Sequence, residues 1–204
     1  MKISIEGNIG CGKSSVMTRL CQVTRLPIFL EPIDEWGEWL DVFYKDPERW
    51  GMSFNLKVLM SYHKWINNNF MAIYERSPLS CRHIFSQQQY DQGRMTRLEY
   101  DMFDSIYKEL AWKPDAVIYI RADPEICMAR MQYRARDCES TVPMSYLEDI
   151  HNKYENMAQQ NFTLSNKALA FQVDGNQCAD AVLKDVTSII ENLKNTRFVQ
   201  SCPV

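Results

Sequence analysis

Gly7-Asn8-Ile9-Gly10-Cys11-Gly12-Lys13-Ser14 constrains this chain more than any other stretch. It follows the apolar run Ile3-Ser4-Ile5 and leads into a helical pattern of Val16, Met17, Leu20 and Val23. A strand, a glycine-rich loop and a helix in that order make a phosphate-binding loop. The glycines let the backbone curl until several N–H groups face one anion, and the helix N-terminus adds the positive end of its dipole. In such a loop Lys13 reaches the outer phosphates and the Ser14 hydroxyl holds magnesium.

The rest of the chain fits around that unit. Short apolar runs at 2–6, 27–31, 70–74, 116–121 and 168–173 read as strands. Between them, helical periodicity covers about 13–24, 47–68, 78–92, 95–111, 123–135, 143–162 and 177–194, and Arg197 to Val204 reads as a loose tail. Alternation of this kind predicts an α/β domain with a parallel sheet flanked by helices, because a parallel crossover needs a dozen or more residues. At 204 residues the whole chain, 1–204, is expected to be one domain, with room for a helical elaboration. A net charge of -3 gives nothing global to attract nucleic acid or an anionic membrane. The seven cysteines are odd in number and scattered, with no C-x-x-C pair, which favours reduced thiols over a disulfide framework or a zinc site. No leader-like segment and no apolar run of spanning length is visible, so the expected location is cytoplasmic.

In a parallel sheet, ligands gather at the carboxyl ends of the strands. The second strand ends in Glu31-Pro32-Ile33-Asp34-Glu35-Trp36 and the third in Glu75-Arg76-Ser77. Either carboxylate alone would pass for a solvated loop acid; both at ligand-facing ends point to function. Arg130, Arg134 and Arg136, followed by Asp137 and Glu139, form a basic cluster. Such clusters are commonly solvated helix faces. Beside a phosphate loop this one reads as a lid over about 130–142, since guanidinium groups bind phosphate oxygens in bidentate fashion.

Taken together these residues resemble the deoxynucleoside kinase family, which includes deoxycytidine, deoxyguanosine and mitochondrial-type thymidine kinases and the broad-range insect enzyme. The resemblance rests on Gly7 to Ser14, on Glu31-Pro32 with Trp36, and on Tyr44-Lys45-Asp46-Pro47 with Trp50 and Phe54. It extends through Glu75-Arg76-Ser77 and Arg134-Ala135-Arg136 to Glu139 and Val142-Pro143. It implies a P-loop nucleoside and nucleotide kinase fold with a five-stranded parallel sheet and an arginine-rich lid. It also implies transfer of a phosphoryl group from ATP, with Mg2+, to the 5′-hydroxyl of a deoxynucleoside in salvage. By the same resemblance Glu31 is the base, Arg76 contacts the 5′-oxygen, Lys13 acts on the phosphates, and Ser14 and Glu75 hold magnesium. Gly7 to Ser15, Arg130, Arg134, Arg136 and Asp174 make the ATP site. Tyr44 and Glu139 bind the 3′-hydroxyl, Trp36, Phe54 and Val58 wall the base pocket, and Phe85 offers a face for the base to stack on. A homodimer built from helices around 47–68 and 95–111, and feedback by a deoxynucleoside triphosphate, are implied as well.

The chain departs from the family where the base is read. Asn55 stands where a glutamine is usual, one methylene shorter, so the base must sit deeper or a water or another side chain must bridge the gap. Tyr62 and Cys81 occupy the positions of an arginine and an aspartate in the deoxycytidine and deoxyguanosine kinases, which leaves a pocket closer to the pyrimidine-preferring members. Both are bulkier than the methionine and alanine typical there. Gln132 replaces one lid arginine. The alternatives are a thymidylate-type monophosphate kinase, which would need an arginine for the acceptor phosphate, and a catalytically silent structural subunit. A GTPase would need an N-K-x-D pattern, which the sequence lacks.

Overall fold

The computed structural model describes residues 1–136, 139, 142–162 and 168–200, the last five by backbone alone. Asp137, named with the lid, and residues 201–204 of the expected tail lie outside the described residues. Five strands among them, β1 (Lys2–Glu6), β2 (Ile28–Phe29), β3 (Ala72–Glu75), β4 (Ala116–Arg121) and β5 (Leu169–Asp174), form one sheet in the order β2-β3-β1-β4-β5. Every pairing is parallel, with Ile5 opposite Glu75 on one side of β1 and opposite Ile118 on the other. Consecutive residues Ile3, Ser4, Ile5 and Glu6 are all wholly buried, so both faces of the central strand are covered. That burial is what makes the strands read as continuous apolar runs rather than as alternating ones.

The helices are α1 (Lys13–Val23), α2 (Ile33–Lys45), α3 (Pro47–His63), α4 (Pro78–Ser80), α5 (Gln87–Asp91), α6 (Arg97–Leu110), α7 (Pro124–Arg134), α8 (Met144–Gln159) and α9 (Ala179–Gln200). A π-helical segment, Cys81–Ser86, joins α4 to α5. Met17 and Leu20 of α1, Leu147 and Ile150 of α8, and Val186 and Ile190 of α9 share one core with the strands. A second core of Trp36, Leu59, Tyr62, Cys81, Phe103 and Tyr107 holds α2, α3, α6 and the π-helical segment together. This helical layer stands beyond the carboxyl ends of β1 and β3 and closes one side of the crevice there.

Four expectations need correction. Helix α2 occupies a stretch expected to be a strand exit and loop; Ile33, Trp36, Leu40 and Phe43 recur at helical spacing and pack inward from it. β2 has two residues rather than five, because it lies at the sheet edge and pairs only with β3. α3 stops at His63 rather than 68, where the chain passes into a turn over 64–67. α9 runs through Arg197 to Gln200, a stretch expected to be tail.

Candidate active site

A cleft opens at the carboxyl ends of β1 and β3, between the phosphate loop and the second core. Its walls bring together Gly10, Lys13, Ser14, Glu31, Glu75 and Arg76 at one end. Trp36, Phe54, Asn55, Val58, Tyr62, Cys81 and Phe85 line the other end, with Tyr44, Arg134, Arg136 and Glu139 at its margin. Residues separated by more than a hundred positions thus meet around one space.

The loop is shaped by glycine at three points. Gly7, Gly10 and Gly12 have φ of +148°, +78° and +106°, and a Cβ on Gly10 would stand 2.3 Å from the Cys127 carbonyl oxygen. Asn8 pins the loop, donating from Nδ2 to the Leu147 carbonyl at 2.8 Å and accepting from the Ile9 N–H at 2.8 Å. The Lys13 ammonium is buried and donates to the carbonyls of Asn8 and Gly7 at 2.7 and 3.0 Å.

Glu31 and Arg76 form the centre. Arg76 Nη1 lies 2.8 and 2.7 Å from the two Glu31 carboxylate oxygens, and its Nη2 donates to the Gly7 carbonyl at 3.2 Å. Both side chains are about nine-tenths buried. Burial works to lower the guanidinium pKa, but the Glu31 charge and hydrogen bond together with Tyr154 and Tyr62 outweigh that and hold Arg76 well above its ordinary value. Arg76 has φ +58°, unusual for a non-glycine residue. Its N–H still donates to Ile5 at the end of the ladder, so the left-handed turn comes directly after β3 and brings the guanidinium back beneath the loop. The ring of Phe85 lies 5.0 Å from that guanidinium. Tyr62, expected only as a pocket wall, donates its hydroxyl to Glu31 at 3.0 Å.

Ser14 donates to Glu75 at 2.6 Å, and the other Glu75 oxygen faces the Glu31 N–H at 3.4 Å. Burial, with the Glu31 charge adding to it, raises the Glu75 pKa against the opposing pull of Lys13, Ser14 and Arg76. A hydroxyl and a carboxylate at the start of α1 are hard oxygen donors of the kind Mg2+ takes while keeping waters and phosphate oxygens as its other ligands. The donor set fits that ion. Beneath this layer lies Glu6, which the sequence reading passed over as the last residue of β1. It is wholly buried and accepts from Ser4, Ser77 and Tyr154. Burial pushes its pKa up against those donors.

Of the other expected site residues, Arg130, Ser15 and Asp174 do not line the cleft. Arg130, named with the lid, donates to the carbonyls of Cys11, Gly175 and Gln177 at 2.8–3.3 Å and so ties the phosphate loop to the turn after β5. Ser15 is exposed on α1. Asp174, at the end of β5, accepts from the Asn176 N–H. Arg134 and Arg136 both pair with Glu139, the latter at 3.4 Å. Asn55 has its amide engaged at both ends, by Gly51 and Ser86. Gln89, Tyr146, Leu40 and Phe43 line the cleft without having been singled out. The signal for Gln89 was its position four residues after Phe85.

A family model described as deoxynucleoside kinase matches residues 3–199. A protein of Invertebrate iridescent virus 3, whose name assigns it provisionally as a kinase, is 33% identical over 195 residues, covering 94% of this chain and 96% of that one. Deoxycytidine kinase of Rattus norvegicus is 30% identical over 191 residues, covering 76% of this chain and 74% of its own. Among solved structures, deoxyadenosine kinase from M. mycoides, with dCMP and dCDP bound, superposes with a TM-score of 0.85 at 24% identity, over 95% of this chain and all of that one. That last likeness is one of fold.

Proposed function

The chain belongs to the deoxynucleoside kinase family, and from that premise we propose that it transfers the γ-phosphoryl group of ATP, bound with Mg2+, to the 5′-hydroxyl of a pyrimidine deoxynucleoside in nucleotide salvage. One observation carries the reading. A single guanidinium, that of Arg76, bonds both the Glu31 carboxylate and the Gly7 carbonyl of the phosphate loop. The group that would take the acceptor proton is thereby fixed relative to the loop that would hold the donor.

Glu31 accepts the proton of the 5′-hydroxyl as that oxygen attacks the γ-phosphorus, and ADP leaves. Arg76 fixes the plane of the carboxylate, and the Tyr62 hydroxyl occupies one lone pair of Oε1, leaving the remaining capacity for the substrate. Lys13 exchanges its loop carbonyls for phosphate oxygens, joined by the loop N–H groups and by Arg134 and Arg136. Ser14 and Glu75 would hold the metal, which when bound neutralises charge on the phosphates. Tyr44 and Glu139 hold the 3′-hydroxyl, and Phe85 takes the base on its face. Catalysis by such a site is chiefly positioning and electrostatics.

The pyrimidine preference is supported by the second core, whose Tyr62 and Cys81 narrow the far end of the cleft. A single domain over 1–204 is supported by the one sheet into which the strands assemble. A homodimer is supported by exposed Met60 on α3 and exposed Leu98 and Met102 on α6. A reducing, cytoplasmic setting is supported by Cys11, Cys21, Cys81, Cys127 and Cys178, all unpaired. No helix among the described residues is long and apolar enough to cross a membrane.

The test is phosphoryl transfer from ATP, with and without Mg2+, to thymidine, deoxycytidine, deoxyadenosine, deoxyguanosine and dTMP side by side. The expected outcome is metal-dependent turnover of the pyrimidine deoxynucleosides. Turnover of dTMP alone would overturn the reading in favour of a nucleotide kinase, and no turnover in favour of a silent subunit.

A further inference from the structure

The base pocket has a shortened amide at position 55, and the structure shows what that amide does. Asn55 Nδ2 donates to the Gly51 carbonyl at 2.8 Å within α3, and its Oδ1 accepts from the Ser86 hydroxyl at 3.0 Å. The side chain is spent on joining α3 to the π-helical segment. Two other polar groups at this end are engaged too, Tyr62 with Glu31 and the Cys81 thiol with the Asn55 carbonyl at 3.6 Å. Gln89 on α5 also lines the cleft, four residues after Phe85 and therefore about one helical turn along from it. It is 1% exposed, and its Nε2 donates to Gln88 Oε1 at 2.7 Å, while its Oε1 has no partner. Among the described cleft-lining side chains, three buried polar atoms lack a partner: Trp36 Nε1, Arg76 Nε and Gln89 Oε1. Only the last is an acceptor. A Cβ at Gly51 would stand 3.6 Å from it, so the oxygen lies over α3 one turn from Asn55.

A buried acceptor without a partner costs stability, and a native fold keeps such a group where a ligand supplies the missing donor. We propose that Gln89, rather than Asn55, reads the edge of the base, its Oε1 accepting a hydrogen bond from a ring or exocyclic N–H of the deoxynucleoside. The inference rests on the deoxynucleoside kinase reading and adds the residue that sets specificity within it. The methylene missing at position 55 is made up from a neighbouring helix, by a glutamine one turn beyond the stacking ring. Asn55 then acts as a positioning residue that holds Phe85 and Gln89 at their distance from α3.

The experiment pairs substrates with variants. Wild-type enzyme is assayed with deoxycytidine and with pyrimidin-2-one deoxyriboside, which lacks the exocyclic amine, and with thymidine and N3-methylthymidine, which lacks the ring N–H. The preferred parent should exceed its stripped analogue in kcat/KM by about 10- to 100-fold. In Gln89→Leu that ratio should fall to near one with KM for ATP unchanged. Gln89→Met serves as a second unbranched probe should the leucine variant fail to fold, as judged by its melting temperature. In Asn55→Ala the melting temperature should drop while the parent-to-analogue ratio persists. A ratio that survives in a folded Gln89 variant, or collapses only in Asn55→Ala, would overturn the assignment. If the wild type phosphorylates no deoxynucleoside, the proposed function itself fails, an outcome distinct from a ratio that ignores position 89.

Discussion

At the phosphate end of the cleft, geometry is carried by backbone and charge; at the base end it is carried by uncharged side chains packed between helices. The first end is nearly contiguous in sequence, Gly7 to Ser14, completed by residues at the tips of β2 and β3. Its donors are main-chain N–H groups and its ion pair, Glu31 with Arg76, is buried. The second end draws Phe54 and Asn55 from α3, Cys81 and Phe85 from the π-helical segment and Gln89 from α5. A backbone-built site cannot be retuned without moving the chain, whereas a side-chain-built one can be changed residue by residue. On the proposed function, the chemistry would sit in the first and the choice of substrate in the second.

That contrast can be broken at either end. The largest effect is expected from Glu31→Gln, which should lower kcat by about 10²- to 10⁴-fold with ATP affinity unchanged by calorimetry; unchanged turnover would remove Glu31 as the base. Next comes Gly10→Ala. At φ +78° and 2.3 Å from a carbonyl oxygen the added methyl should cost about 2–4 kcal/mol, a fall of roughly 5–15 °C in melting temperature, and abolish ATP binding. A variant that melts normally would show that the loop is less rigidly set than its contacts imply.

A smaller effect comes from pH, and it acts through the base end. Burial first, then the neighbouring Arg82 charge, lowers His83 on the π-helical segment to about 4, against a partial offset from Asp104. The unfolded chain therefore binds the proton between about pH 6.5 and pH 4 while the fold refuses it, so stability is complete above that window and falls as pH drops through it. The loss should be on the order of 1–3 kcal/mol in denaturant titrations, and absent in His83→Gln. The smallest effect is Phe85→Leu, which should raise KM for the deoxynucleoside by about 10-fold, the scale of one aromatic contact, and leave KM for ATP unmoved. If KM for ATP rises equally, the two ends are not separable.

The same division governs what could be read from the sequence. The phosphate end was legible because its parts lie side by side in the chain, and because Glu31 and Glu75-Arg76 fall at strand ends whose direction follows from the parallel order. The core strands were legible as apolar runs. Helix α2 was not read from the sequence although Ile33, Trp36, Leu40 and Phe43 mark one face of it. The base end was legible only as a list of side chains. That Tyr62 reaches Glu31, that Asn55 is spent on Ser86, and that Gln89 keeps an unpaired oxygen all depend on how α3 meets the π-helical segment and α5, which no local pattern encodes.

The ammonium of Lys13 has two carbonyl acceptors within its own loop, Gly7 and Asn8. On the proposed function, ATP association at this loop would be an exchange reaction in which old acceptors are released as new ones are taken. The enthalpy of that step is a small difference between two bonded states, and the driving force falls to neutralisation of charge. Under that reading a nucleotide whose phosphates stop short of the ammonium would leave the lysine on its carbonyls, and the loop would count phosphates by whether its own cation is worth moving.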